Sequence, residues 1–137
     1  MAEKLTLEVV TPDRRVLKTE ADMVEIPGRR GELGILPGHA PLLTELAVGE
    51  IAYTNEGETE RLAVAWGFAE VLPDKVTILA ETAERADEID VERAKAALER
   101  NEKRLAEATG TVDVERAEAS IRRAETRLSV AQEAEKK

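Results

Sequence analysis

A chain of 137 residues, 42% of them hydrophobic, holds one ordinary domain or a small domain with an appendage. With no cysteine it has no disulfide scaffold, thiolate metal site or cysteine nucleophile, and with only Tyr53, Trp66 and Phe68 as aromatics it offers little for stacking bases. The net charge of −9 belongs entirely to residues 1–88, where 9 Lys and Arg face 18 Asp and Glu, whereas residues 89–137 carry 11 of each; a nucleic-acid backbone is repelled by the first part, and protein partners with basic patches fit better.

The opening Met-Ala-Glu-Lys-Leu-Thr-Leu lacks the basic segment and apolar run of a signal peptide. No run approaches the roughly 18 apolar residues of a membrane span, so a soluble, cytoplasmic chain without membrane insertion is expected. From residue 4 to 80, short apolar or alternating runs at 5–10, 16–26, 34–36, 49–53, 61–65, 68–72 and 75–79 are broken by Gly, Pro, Asp and Asn. This spacing predicts an antiparallel sandwich or flattened barrel rather than a parallel sheet. Asn55, Glu56 and Gly57, and again Pro73 and Asp74, suit hairpin turns.

Residues 31–42 hold three Gly and two Pro and include the only histidine, His39. The composition predicts a tight, shaped surface loop. A catalytic role for His39 needs a nucleophile or acid beside it, and the segment offers only Glu32 and Thr44. There is no Gly-x-Ser-x-Gly elbow and no Gly-Lys-Ser/Thr ending of a phosphate loop. A contact loop with Glu32 at its tip and His39 hydrogen-bonded within it is the expected use.

After Ala80 the period changes from two toward 3.6, and Ala, Glu, Arg and Lys replace β-branched residues. The boundary falls between residues 83 and 90, dividing the chain into a sandwich at 1–84 and a linker with a helical hairpin at 85–137. The segment Ile-Asp-Val-Glu-Arg-Ala at 89–94 is echoed 23 residues later by Val-Asp-Val-Glu-Arg-Ala at 112–117, and the echo continues through Arg100 and Arg123, Arg104 and Arg127, and Leu105 and Leu128. A break around Gly110 makes the pair an antiparallel hairpin. The overall class is therefore α+β, a β-sandwich followed by two helices. Each helix carries one narrow stripe: Val91, Ala94, Leu98, Leu105 and Ala108, with Asn101 in the gap, and Val114, Ala117, Ile121, Ala124, Leu128 and Ala131. So thin a seam suits either a movable hairpin or one docked permanently on the sandwich.

Asp90 and Asp113 read as helix N-caps, with Ile89 and Val112 placed for hydrophobic staples to Ala94 and Ala117. Capping does not account for the arginines. Arg93 and Arg100 are seven apart on the first helix, Arg123 and Arg127 four apart on the second, and folding at Gly110 brings Arg100 level with Arg123. Guanidinium groups from both helices then converge on an anion. A solvated face of i, i+4 ion pairs is the competing use of the same residues.

Residues 31–43, Gly-Glu-Leu-Gly-Ile-Leu-Pro-Gly-His-Ala-Pro-Leu-Leu, the strand-rich first part and the Ile-Asp-x-x-Arg-Ala hairpin together closely resemble the epsilon subunits of bacterial F-type ATP synthases over essentially the whole chain. The resemblance implies a non-catalytic rotor subunit, monomeric when isolated, that lies peripherally at the cytoplasmic face of the membrane as part of the complex. Its sandwich would bind the gamma subunit and the c-ring, with Glu32 and His39 at the contact positions. Its helices would fold on the sandwich or extend toward the alpha and beta subunits, where the extended form blocks ATP hydrolysis. The resemblance further implies that the folded form binds ATP as a regulatory ligand, with no required cofactor or metal. The family's contact pattern carries over to Glu84, Ile89, Asp90, Arg93, Ala94, Arg100, Arg123 and Arg127. Asp90, Arg93 and Ala94 would hold base and ribose, and Arg100, Arg123 and Arg127 the phosphates.

Overall fold

The computed structural model describes residues 3–107 and 114–136, so the second Asp cap, Asp113, with Ala108, Gly110 and Val112, lies outside the described residues. The first part is eight strands, β1 (Leu5–Val10), β2 (Arg15–Ala21), β3 (Met23–Gly28), β4 (Gly31–Ile35), β5 (Leu42–Leu46), β6 (Gly49–Asn55), β7 (Glu58–Leu72) and β8 (Lys75–Arg85). A 3-10 turn at Ala86–Glu88 leads into α1 (Val91–Ala106) and α2 (Val114–Glu135). The strands run in the order β2-β1-β8-β7-β5-β3-β4, with β6 paired to β3 and β7. Leu5, Leu7 and Val9 alternate inward from β1 and join Val24, Ile26, Ile35, Ile51, Val76 and Ile78 in one aliphatic core, as period-two burial requires. The pairings are antiparallel except one, in which β1 lies parallel to β8 with Leu7 beside Val76 and Val9 beside Ile78.

Three boundaries differ from the sequence pattern. The run 16–26 is two strands, parted at Asp22, whose carboxylate accepts from Glu56 N–H at 2.8 Å and pairs with Lys4 at 3.1 Å. Those two partners, the backbone N–H first, hold its pKa below the usual carboxylate range. Leu42–Leu46 forms β5 although Leu42 and Leu43 are exposed, because its partner β7 supplies the ladder from Leu42 opposite Val71 to Leu46 opposite Gly67. Finally, the runs 61–65 and 68–72 are one strand, β7, which pairs β6 through its first half and β5 through its second.

Trp66 and Gly67 form the corner of that strand. Both have positive φ, +51° and +125°, and the β7–β8 ladder joins Ala65 to Thr82 and Gly67 to Ala80 but skips Trp66 and Glu81. A Cβ on Gly67 would sit 1.9 Å from the Leu79 carbonyl oxygen, so only glycine fits. The face turned to the core changes parity here. Leu62 and Val64 point inward before the corner and Ala69 and Val71 after it; on β8, Val76, Ile78 and Ala80 give way to Ala83. Before the corner Leu62, Ala63, Val64 and Ala65 are all buried, which alternation on a half-exposed strand forbids. The second face is covered by α2, where Ala63 joins Ile89, Val130 and Ala131 in a separate cluster.

Asp90 caps α1, its carboxylate accepting from Arg93 N–H at 3.0 Å and its carbonyl from Ala94 N–H at 3.0 Å. The linker is tied down one turn earlier. Glu88 accepts from Arg85 N–H at 3.0 Å and pairs with Arg14 at 2.8 Å, and these contacts, Arg85 N–H first, lower its pKa. Along the hairpin seam Ala94, Ala117 and Ala124 are buried, as is Asn101, whose Nδ2 donates to Ala97 O at 2.7 Å. α2 has a second buried stripe besides that seam. Val130, with no exposed surface, and the half-buried Thr126, Arg127 and Arg123 lie on its sandwich side at spacings of three and four.

Candidate functional site: an arginine cleft on the hairpin

The two helices form an open cleft of about 690 Å³ lined by Arg100 and Arg104 from α1 and by Arg116, Arg123 and Arg127 from α2. Asn101, Ser120, Ala97, Ala117 and Ala124 complete the wall, and no carboxylate among the described residues lines it. Arginines gathered from both helices make a local positive field in a chain of net charge −9, although the charge of Arg127 is met by Glu84 from the sandwich. The repeat builds this cluster, since Arg100 and Arg104 of the first copy correspond to Arg123 and Arg127 of the second.

The arginines differ in how they are held. Arg127 donates from Nε to the Glu84 carboxylate on β8, an ion pair joining hairpin to sandwich with both side chains about a third exposed. Arg123 donates from Nη2 to Ser120 Oγ at 2.9 Å and lies with its guanidinium 5.0 Å from the Trp66 ring centre. Partial burial first, and then the neighbouring Arg127, Arg116 and Arg122, push its pKa down, though a guanidinium stays charged at neutral pH. Arg100 and Arg104 are exposed and make no ion pair among the described residues. Where Ala63, Ala65, Thr82 and Glu84 meet Arg123, Thr126 and Arg127, the space left is only about 10 Å³, so α2 seats closely on the sheet.

Of the eight residues assigned to nucleotide, Arg100, Arg123 and Arg127 line the cleft, and Glu84 reaches it through Arg127. The other four lie toward the opposite end of α1. Ile89 is buried with Val130 and Ala131, Asp90 is engaged as the cap, Ala94 is buried in the seam, and Arg93 is exposed. Seven residues of helix, about 10 Å along the axis, separate Arg93 from Arg100. Sequence reasoning missed Arg104, Arg116 and Trp66. The first two were marked by spacing, Arg104 four after Arg100 and Arg116 seven before Arg123; Trp66 carried no helical signal.

On the sandwich, Glu32 is exposed on β4 opposite Pro27, just past the turn at Arg29 and Arg30, rather than at a loop tip. His39 is half-buried in the loop between β4 and β5, with Nδ1 2.7 Å from Ala40 O and its N–H donating to Leu36 O at 3.1 Å. The neighbouring Gly38 N–H donates to Pro73 O at 2.7 Å, which ties this loop to the β7–β8 turn. Among the described residues no cluster of His, Asp or Glu could hold a metal ion, and no helix is long and apolar enough to cross a membrane.

A sandwich followed by a charged helical hairpin is the domain order of one class of rotary-motor chain. Residues 4–86 match the family model described as ATP synthase, Delta/Epsilon chain, beta-sandwich domain, and residues 87–132 the corresponding long alpha-helix domain. The ATP synthase epsilon chain of Koribacter versatilis is 65% identical over 105 residues, 77% of this chain and 74% of that one. That of Geotalea uraniireducens is 59% identical over the same length, 77% of this chain and 76% of that one. A chain in the solved Euglena gracilis mitochondrial ATP synthase, an assembly of OSCP, F1 and c-ring, superposes with a TM-score of 0.77 at 25% identity, covering 98% of this chain and 82% of that one. The chain belongs to the epsilon subunit family of the ATP synthase central stalk.

Proposed function

We propose that this chain is the non-catalytic coupling and regulatory subunit of a bacterial F-type ATP synthase, whose docked hairpin holds ATP in the arginine cleft without hydrolysing it. The observation that carries this reading is the convergence of Arg100, Arg123 and Arg127 on a cleft lined, among the described residues, by no carboxylate. A polyphosphate satisfies such donors with bidentate hydrogen bonds. The lining of Arg, Asn, Ser and Ala supplies no general base to activate water, which fits a ligand site better than a catalytic one. The sandwich would engage the gamma subunit and c-ring, with Glu32 and His39 among the contacts, at the cytoplasmic face of the membrane. Released from the sandwich, the helices would extend toward the alpha and beta subunits and block ATP hydrolysis.

Linkage joins the two activities. ATP at about 100 times its dissociation constant stabilises the docked hairpin by roughly 2.7 kcal/mol relative to a form that does not bind it. Calorimetry with ATP on the isolated chain tests the site: saturable binding is expected, and Arg100→Ala or Arg123→Ala should abolish it while the β domain stays folded. No binding at millimolar ATP removes the sensor role and leaves the rotor role standing.

A second reading, a static hairpin in a purely structural coupling subunit, is favoured by the docking contacts. These are the pair of Glu84 with Arg127, Arg61 to Glu133 at 3.7 Å, and the packing of Val130 and Ala131 on Ala63 and Ile89. The cysteine-free chain allows a disulfide between Ala63→Cys and Ala131→Cys to lock the hairpin down. In the assembled complex, faster ATP hydrolysis after locking supports the switch, and an unchanged rate supports the static hairpin.

A further inference from the structure

Core packing does not account for Trp66. It is the only tryptophan, and its φ of +51° lies in the left-handed region that bulky side chains rarely occupy. The β7–β8 ladder skips it, and 36% of its surface is exposed. What its ring does meet is the guanidinium of Arg123, 5.0 Å from the ring centre. That contact crosses from the sandwich to the hairpin and ends on a residue lining the arginine cleft.

We propose that Trp66 is a positioning residue, a clamp on the sandwich that holds Arg123 in place and so sets the affinity of the cleft for a nucleotide polyphosphate. This rests on the reading of the cleft as a nucleotide site. A guanidinium stacked on an aromatic face keeps its in-plane N–H donors directed outward, because stacking uses the π surface and not the donor edge. The ring therefore immobilises Arg123 without neutralising it. Arg127 shows the contrast, since the Glu84 carboxylate that fixes it also cancels its charge. With the ring on one side and Ser120 Oγ on one donor, Arg123 has lost much of its rotamer freedom before a ligand arrives, which lowers the entropic cost of binding. The break in the ladder at Trp66 releases the side chain from the inward and outward alternation of β7, and the left-handed backbone is the strain that accompanies this placement.

Three variants and two measurements test the clamp in the full chain. Trp66→Gly removes the ring and is at home at positive φ, and its dissociation constant for ATP should rise about two- to fivefold. Trp66→Phe retains a π face and should bind ATP nearly as tightly as the unaltered protein. Without nucleotide, Arg123→Ala should increase acrylamide quenching of the single tryptophan. Unchanged ATP affinity in Trp66→Gly, when the unaltered protein does bind, overturns the clamp and spares the site. Absence of ATP binding by the unaltered protein overturns the site and the affinity role of Trp66 together; quenching then decides the contact itself, and equal quenching in Arg123→Ala overturns that too.

Discussion

Val130→Ala tests whether the hairpin is held as a separable unit. Val130 has no exposed surface and packs with Ala131 and Ile89 against Ala63 of β7, outside the main aliphatic core. Truncation removes two methyl groups, a transfer loss of about 1.6 kcal/mol at roughly 0.8 per methylene-sized group. A residual cavity adds to that and brings the cost near 2 kcal/mol, about thirtyfold in an equilibrium constant. Because Val130 touches none of the β1, β3 or β8 core, the whole cost should fall on docking of α2. Amide hydrogen exchange resolves this segment by segment. Protection in the C-terminal half of α2 should drop about thirtyfold, while amides of β1 and the first half of β8 keep their rates. Equal acceleration of α2 and the β core would refute the reasoning, because hairpin and sandwich would then open as one unit.

Other consequences follow from single contacts. Asp90→Ala removes the carboxylate that accepts from Arg93 N–H and should cost about 1 kcal/mol of α1 stability, read as lower helical ellipticity with an unchanged sandwich midpoint. Gly67→Ala forces a Cβ to within 1.9 Å of Leu79 O at φ +125° and should lower stability by about 3 kcal/mol or more, measurable in urea. The folded-state pKa of Asp22 is depressed, so its contribution to stability is present above the unfolded value of about 3.9 and is lost as pH falls through the lower folded value. Asp22→Asn should therefore flatten the acid limb of the stability profile, and urea titrations between pH 2 and 6 would show it.

Most of the strands were legible because burial on one face writes period two into the chain: Leu5, Leu7 and Val9 alternate with Thr6, Glu8 and Val10. Where burial is two-sided the pattern fails. Leu62 to Ala65 are buried on both faces, by the core and by α2, and no local period separates such a run from a shorter strand. β5 was missed for the opposite reason, since its exposed Leu42 and Leu43 and its neighbouring Pro41 read as loop until β7 supplies the ladder. The hairpin seam was readable at heptad spacing, but the docking face of α2 was not. Besides Val130 and Ala131 it is built of Arg123, Thr126 and Arg127, polar residues that a hydrophobic stripe cannot reveal. The arginine cleft was half-visible for the same reason: Arg100 and Arg123 could be matched through the repeat, but the means of holding Arg123, a ring on β7, is a contact between residues 57 positions apart.

The repeat makes two copies of one helix, and the fold uses them unequally. In the second copy Arg123 and Arg127 face the sandwich and are fixed there by Trp66, Ser120 and Glu84. Their counterparts in the first copy, Arg100 and Arg104, are exposed and without an ion pair among the described residues. If the cleft takes a polyphosphate as proposed, the ligand would meet one wall already held by protein contacts and one whose arginines are exposed. Ordering each α1 arginine costs up to about 2 kcal/mol of side-chain entropy, a cost already met on the α2 side by protein contacts. Chains that keep every arginine can thus differ widely in affinity if they differ in what restrains them. It also follows that a polyanion drawing Arg100 and Arg104 toward Arg123 and Arg127 ties α1 to the helix that is docked on the sheet. The hairpin is then held closed along its seam and down on the sandwich by one set of charges, which is the coupling a nucleotide needs if its presence is to choose the position of both helices.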